Sequence, residues 1–305
     1  MIGRGTTLPV LALACLSMTV PSYAQNRGVY PLGMSATNSG LMSESTFTYS
    51  NQLLFYSRDE AKDNQGRTLP VTGNQAVIMD MNTIAWTSRE TILGARYAAS
   101  ATLPFAHNDL TSDLQGNISG GNGFADSYYI PVILGWSWTR IAVRAMYGFL
   151  APTGRFQVGA NDNVGSGYWT HALSSGQTFY LSANKLLSLS TFEMYEFHTR
   201  QSGTGVQPGE TFDLDYSLLY SPVRTRRFQL QAGLAGYEAR QTSAKTGPGI
   251  SQAISEERYA INALGGAVFA VLPKRTSLGL KYFKEFADRA TYQGYSLQVV
   301  ASIGF

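Results

Sequence analysis

Residues 92–105 read ILGARYAASATLPF, and their side chains alternate between two chemical types. Leu93, Tyr97 and Phe105 fall on one set of alternate positions with other apolar residues, whereas Arg96 falls on the other set with glycine, alanine, serine and threonine. Successive side chains of a β-strand point to opposite faces. The stretch therefore predicts a long strand that is apolar on one face only.

This alternation recurs along the chain. In residues 210–221, ETFDLDYSLLYS, aromatic residues and leucine alternate with Asp213, Asp215 and serine. Most such segments are longer than the roughly 5–6 residues usual in globular sheets and reach the roughly 9–11 that a tilted membrane-spanning strand needs. Twelve segments are predicted, near residues 43–57, 75–88, 90–105, 125–138, 140–151, 165–184, 186–200, 209–221, 225–240, 256–272, 275–288 and 292–305.

Composition and loop lengths indicate where these strands lie. Charged residues make up 14% of the chain, against roughly 25% in typical soluble domains. Yet no stretch after residue 24 approaches the roughly 18 consecutive apolar residues of a membrane helix. Short and long connections alternate along the chain, as in outer-membrane proteins. We therefore predict a transmembrane antiparallel β-barrel of about 12 strands, with short periplasmic turns, longer extracellular loops and paired first and last strands.

Three regions are expected along the chain. Residues 1–24 have the pattern of a cleavable signal peptide, with Arg4 before an apolar run and Ser22-Tyr23-Ala24 at its end. The single cysteine, Cys15, lies inside that run and fits a lipoprotein processing site poorly. Residues 25–42 form an N-terminal segment that is either periplasmic or inserted in the lumen, and residues 43–305 form the barrel. Without residues 1–24, which hold one basic and no acidic residue, the formal net charge falls from +3 to +2, so nucleic acid is not expected as a partner.

The alternation also assigns polar side chains to the lumen, where they would either stabilise the barrel through ion pairs or line a path for solute. The predicted set is Asp80, Asn82, Arg96, Arg144, Glu196, Asp213, Asp215, Gln229, Gln231, Asn262, Lys281, Glu285 and Gln298. Aromatic residues near strand ends are candidates for the interfacial girdles of the barrel. They are Tyr128, Tyr129, Trp136, Trp138, Tyr168, Trp169, Tyr259 and Tyr295.

The final stretch, YQGYSLQVVASIGF at residues 292–305, is expected to be the strand that closes the barrel. It resembles the signal that the outer-membrane assembly machinery recognises in its clients. This machinery and outer-membrane lipid are therefore the expected partners of the wall. The signal would consist of the lipid-facing residues Tyr295, Leu297, Val299, Ile303 and Phe305.

Several motifs resemble a family of Gram-negative outer-membrane proteins assigned to the meta-pathway of phenol degradation, itself similar to the fatty-acid and aromatic-hydrocarbon channels of that membrane. They are GVYPLGMSATNSG at 28–40, YYIPVILGWSW at 128–138, APTGRF at 151–156, NVGSGYWTHAL at 163–173 and GVQPGETFDLDYSLLY at 205–220. The resemblance implies a channel for passive uptake of small hydrophobic, often aromatic, compounds.

Other classes of function are weighed against a channel. The three histidines, His107, His171 and His198, lie in no nucleophile motif, and the sequence holds no metal-ligand cluster or phosphate-binding loop. We therefore expect no enzyme and no cofactor; a lipid-modifying enzyme dependent on His198 is the less favoured alternative. A structural or adhesive barrel that binds through its extracellular loops stays open, and the sequence does not predict an oligomeric state.

Overall fold

The computed structural model describes residues 28–70, 73–114, 116–225 and 228–305, and the predicted signal peptide lies outside these residues. Thirteen strands are present in this part of the chain. They are β1 (Phe47–Lys62), β2 (Gln75–Ile92), β3 (Ala95–Ser112), β4 (Gly116–Phe124), β5 (Ser127–Ser137), β6 (Ile141–Ala151), β7 (Thr170–Tyr180), β8 (Leu187–His198), β9 (Thr211–Arg224), β10 (Gln229–Gln241), β11 (Ala260–Leu272), β12 (Thr276–Glu285) and β13 (Thr291–Gly304).

Twelve of these strands form one closed antiparallel barrel. Strands that follow one another in the chain pair with each other, with two exceptions. β3 pairs with β5 as well as with β4, and β1 pairs with β13 as well as with β2. At the seam, the amide of Phe305 donates to the carbonyl of Phe47 at 2.8 Å. The predicted barrel of about 12 strands, closed by its first and last strands, is confirmed. Closure gives each of the twelve barrel strands a partner on both sides, as a lipid environment demands.

The thirteenth strand, β4, corrects the prediction of a long loop after residue 105. β4 pairs with the outer half of β3, from Phe105 to Ser112, while the inner half of β3 pairs with β5. β4 and β5 are thus one strand interrupted at Ala125-Asp126. The many glycines and asparagines of 116–123 concealed the strand, because they contribute little apolar alternation.

Connections at the two rims differ in length, as predicted. At one rim the turns are short, and Leu93-Gly94 form a two-residue hairpin in which both residues have positive φ, 53° and 76°. The other rim carries the connections 63–74, 152–169, 199–210 and 242–259, the last of which contains the short helix α1 (Gln252–Glu256). No helix in the described part of the chain is long and apolar enough to cross a membrane.

Two local predictions need correction. The segment predicted at 165–184 is a strand only over Thr170–Tyr180, and residues 165–169 belong to the preceding loop. Of the aromatic girdle candidates, Trp138, Trp169 and Tyr295 are exposed on the outer surface, but Tyr128, Tyr168 and Tyr259 are turned inward. A side chain's face near a strand end depends on bulges such as the one between Tyr129 and Val132, which alternation alone does not locate.

Candidate functional site

An N-terminal segment, residues 28–43, runs through the interior of the barrel; we call it the plug. It begins at the long-loop rim, where the amide of Gly28 donates to the Tyr259 hydroxyl at 2.7 Å. It ends at the short-turn rim, where Ser43 contacts the side chain of Thr48 at the start of β1. The plug forms no strand, so its backbone groups need partners from the side chains of the wall.

Two buried carboxylates accept the plug's amides near its start. Glu196 on β8 accepts from Val29 at 3.0 Å and from Tyr30 at 2.8 Å. Asp215 on β9 accepts from the amides of Gly33 and Ser35, at 2.8 and 3.0 Å, and from the hydroxyl of Tyr30 at 2.6 Å. Hydrogen bonds to ionised acceptors are about twice as strong as neutral ones. These two acids therefore anchor residues 29–35.

Donor side chains hold the carbonyls of the same turn. Lys281 on β12 donates from Nζ to the carbonyls of Gly33 and Met34, both at 2.7 Å. Gln298 on β13 donates to the carbonyl of Leu32 at 2.7 Å. Acids on one side of the lumen thus bind the amides of the turn, and donors on the other side bind its carbonyls.

Arginines hold the second half of the plug. Arg144 on β6 donates from Nε to the carbonyl of Ser39 at 2.6 Å, and Arg96 on β3 donates from NH1 to the carbonyl of Ser43 at 2.9 Å. Between these contacts Gly40 lies against the wall so closely that a Cβ there would meet the backbone oxygen of Ala142 at 2.0 Å. Only glycine fits this approach.

A cavity of about 700 Å³ lies between the plug and the wall on the long-loop side. Its middle is apolar, with side chains of Met81, Ile133, Met146, Phe192 and Met194. Benzene fits an apolar protein cavity of about 150 Å³. This cavity therefore has room for one or more aromatic molecules.

Polar groups lie at the outer part of the same cavity. The hydroxyl of Tyr128 is buried and has no hydrogen-bond partner among the residues described. Burial raises the pKa of Tyr168, in the loop before β7, well above its ordinary value, and the charges of Glu196 and Asp126 add to this effect. The hydroxyl of Tyr128 is therefore available at the cavity wall to a polar substituent of a solute.

A second cavity of about 210 Å³ lies on the short-turn side of the plug, lined in part by Gln52 and Lys281. It shares three lining residues with the large cavity: Met34, Ser35 and Arg144. These three residues form the layer that separates the two spaces. We call this layer the constriction.

A third cavity, of about 200 Å³, lies between the plug and the strands around β9 and β10. Asp213 lines it, and its Oδ2 is buried without a hydrogen-bond partner in the described residues. Arg58 lines it too and forms a buried ion pair with Glu285 at 2.9 Å.

His198, the histidine considered for catalysis, is buried beside β7. Its Nδ1 lies 2.8 Å from the hydroxyl of Thr170, and its Nε2 lies 3.7 Å from Oε2 of Glu196. That Glu196 oxygen already accepts the amide of Val29. The arrangement ties together the wall and the plug.

Most of the polar residues predicted for the lumen do point inward, and most of these contact the plug. Six of them form hydrogen bonds with the plug: Arg96, Arg144, Glu196, Asp215, Lys281 and Gln298. Gln231 accepts from Asn38 of the plug at 2.9 Å. Gln229 lies near the short-turn rim and donates to Ser221 at 3.1 Å. A role of any of these residues toward solute stays a prediction.

Three predictions of the lumen set were wrong: Asp80, Asn82 and Asn262 face outward. On β2 the cavity is lined by Met79 and Met81, so Asp80 and Asn82 lie on the opposite face with the exposed Ile78. Both faces of β2 carry apolar side chains, and the pattern therefore does not say which one is inside. Asn51 donates to both Asp80 and Asn82 and partly satisfies them. Asn262 instead binds the carbonyls of Phe286 and Ala287 outside the lumen.

At the closing strand, the alternate positions predicted to face lipid do face outward. Tyr295, Val299, Ile303 and Phe305 are among the exposed large apolar residues, and Leu297 shares their face. Recognition of this face by the assembly machinery stays a prediction.

Comparison with solved structures places this architecture among outer-membrane proteins. The crystal structure of the COG4313 outer-membrane channel from Pseudomonas putida F1 superimposes with a TM-score of 0.73 at 11% identity, over 88% of this chain and 98% of that chain. The β-domain of the Bordetella autotransporter BrkA gives a TM-score of 0.60 at 12% identity, over 86% of this chain and 100% of that chain. At these identities the likeness concerns the fold.

At the level of sequence, no curated protein matches the chain. A family model does match, over residues 58–300, and thus covers most of the barrel. Its description is "Putative MetA-pathway of phenol degradation". The chain belongs to this family.

Proposed function

We propose that the protein is an outer-membrane channel for the passive uptake of small hydrophobic or aromatic compounds. The observation that carries the proposal is the succession of two cavities through the barrel, which meet at Met34, Ser35 and Arg144. A molecule in the large cavity is separated from the second cavity by this layer.

The chemistry of the large cavity selects the class of solute. Its middle section is built from methionine, isoleucine and phenylalanine. Transfer of apolar surface from water into such a site is favourable by roughly 25 cal/mol per Å². Methionine side chains adapt their shape to different ligands. The cavity therefore favours compact apolar molecules over sugars or amino acids.

The constriction would control the passage of solute between the two cavities. Met34 and Ser35 belong to the turn that Asp215 and Lys281 hold. The side chain of Met34 has three rotatable bonds and can move without release of that turn. Diffusion down a gradient then requires only local motion of the plug.

Location and biogenesis are part of the proposal. The fold of outer-membrane channels supports residence in the outer membrane. Residues 1–24 would direct export and be removed, and the lipid-facing side chains from Tyr295 to Phe305 would be read during assembly.

Transport assays separate this function from adhesion through the extracellular loops. The mature protein would be placed in vesicles with lipopolysaccharide in the outer leaflet, and the entry of a radiolabelled aromatic alcohol would be compared with that of glucose and glycine. Swelling of ordinary liposomes with sugars, amino acids and aromatic acids gives a second reading. We expect aromatic compounds to enter faster than in protein-free vesicles. No entry of any solute, with or without residues 25–42, would refute the channel and favour an adhesive role.

A further inference from the structure

The guanidinium of Arg144 lies inside the barrel and has no partner acid among the residues that the structure describes. Its Nε donates to the carbonyl of Ser39 on the plug, and no hydrogen bond from NH1 or NH2 to any residue of the described chain is present. A guanidinium has five N–H donors. Four of them remain available at the level of the constriction.

The other three cations of the lumen are bound to protein groups away from the constriction or to its backbone. Arg58 is paired with Glu285, and Lys281 gives two hydrogen bonds to the carbonyls of Gly33 and Met34. Arg96 also lacks a partner acid, but it lines none of the three cavities and holds Ser43 at the short-turn rim. Arg144 alone among these four lines both cavities of the route.

The acids of the large cavity do not neutralise Arg144. Glu196 accepts two amides of the plug, and Asp126 accepts from the amides of Gly154 and Ser166. In the strand register, Arg144 is opposite Gly176 whereas Glu196 is opposite Ala172. Four residues of strand correspond to about 13 Å. Arg144 and Glu196 are therefore about four strand residues apart, whereas Asp215, which is in register with Arg144, accepts three hydrogen bonds from the plug.

The space above Arg144 is apolar. Met146 on the same face of β6, together with Phe192 and Met194 on β8, lines the cavity there. A ligand that satisfies the whole site has an apolar body against these side chains and one anionic group on the guanidinium. A carboxylate fits this group best, because arginine binds it through two parallel hydrogen bonds.

We propose that Arg144 is an anion-binding subsite at the constriction and that the channel prefers hydrophobic carboxylates to their neutral counterparts. This inference rests on the proposed channel function and adds the chemical class of the solute. The carboxylate would lie between the two cavities, and the next cation on the route is Lys281, which lines the second cavity. The two cations would guide the anion across the layer formed by Met34 and Ser35.

Benzoate and benzamide test the proposal, because they have nearly the same shape and differ in charge. Binding would be measured by calorimetry with the mature protein in lipid nanodiscs, and entry would be measured in lipopolysaccharide-coated vesicles. We expect the wild type to bind benzoate at least tenfold more tightly than benzamide. Arg144→Met should abolish this preference, so that benzoate and benzamide bind with affinities within about twofold of each other. Arg144→Lys should keep part of it, because lysine keeps the charge but lacks the planar fork.

Arg96→Met is the matched control. It also removes a lumen arginine and one hydrogen bond to a plug carbonyl, but away from the cavities. It should retain the benzoate preference. A wild type without a preference for benzoate, or an Arg144→Met variant that keeps this preference, would refute the anion-binding subsite. Entry of benzamide in the same experiment would leave the proposed channel function intact. If neither compound binds or enters, the channel function fails as well.

Discussion

Replacing Asp215 with alanine should loosen the plug at the constriction and raise the conductance of the channel. The Asp215 carboxylate is fully buried and accepts hydrogen bonds from the amides of Gly33 and Ser35 and from the hydroxyl of Tyr30. Each hydrogen bond to a charged group contributes about 1.5 kcal/mol at the lower end of its range. The three bonds together stabilise the bound turn by about 4.5 kcal/mol on this basis.

This free energy sets the size of the expected effect. Every change of about 1.4 kcal/mol shifts an equilibrium constant tenfold. Asp215→Ala should therefore raise the equilibrium constant for release of residues 30–35 by roughly a thousandfold. Asp215→Asn, which keeps one neutral acceptor, should give an intermediate value. Lys281 still holds the carbonyls of Gly33 and Met34 in both variants, so we expect release of the turn rather than of the whole plug.

Asp213→Ala provides the control. Asp213 is two residues away on the same face of β9 and is also buried, but no plug group donates a hydrogen bond to it. Single-channel currents in planar bilayers and amide hydrogen exchange of residues 28–36 would be measured for the three variants and the wild type. Of the two alanine variants, only Asp215→Ala is expected to give a higher current and faster amide exchange. Equal values for Asp215→Ala and Asp213→Ala would refute the anchoring role.

Further substitutions test the plug, the wall and the outer face. Gly40→Ala should prevent close contact between the plug and the carbonyl of Ala142, and proteolysis of the plug would detect this; resistance equal to that of the wild type would contradict it. Arg58→Met leaves the buried carboxylate of Glu285 without its cation and should lower the free energy of unfolding by about 3–5 kcal/mol, measured by urea titration in vesicles; a loss below 1 kcal/mol, roughly that of an exposed pair, would be inconsistent. Asp80→Leu should instead raise that free energy, by less than about 2 kcal/mol, because it removes a carboxylate from the lipid face; a lower stability would argue that this face is not in lipid.

The strands could be predicted from the sequence because their side chains face two different solvents. On β9, Asp213 and Asp215 alternate with Phe212 and Leu214, and the inward face is unambiguous. On β2, methionines face the cavity and isoleucines face outward, so the same reasoning placed Asp80 on the wrong side. Alternation identifies a strand, but it orients the strand only when one face is polar.

The sequence predicted only part of the candidate site. The sequence identified Arg144, Glu196, Asp215 and Lys281 as lumen residues, but it did not show that they bind the plug. The plug has no periodic pattern, and its contacts join residues far apart in the chain, such as Gly33 and Lys281 at a separation of 248 positions. Met34 and Ser35 become recognisable as a constriction only when the cavities on both sides are seen.

Solute flux through two tryptophan variants of β7 tests the central claim most directly. Ser174 lines the large cavity, whereas the adjacent Ser175 lies on the opposite face of the strand, where it donates to Glu193. Entry of a radiolabelled aromatic alcohol would be followed in lipopolysaccharide-coated vesicles that hold equal amounts of folded protein. If solutes pass through the cavity, Ser174→Trp should lower the entry rate at least tenfold and Ser175→Trp should leave it near the wild-type value. Equal wild-type rates for both variants would contradict a route through this cavity.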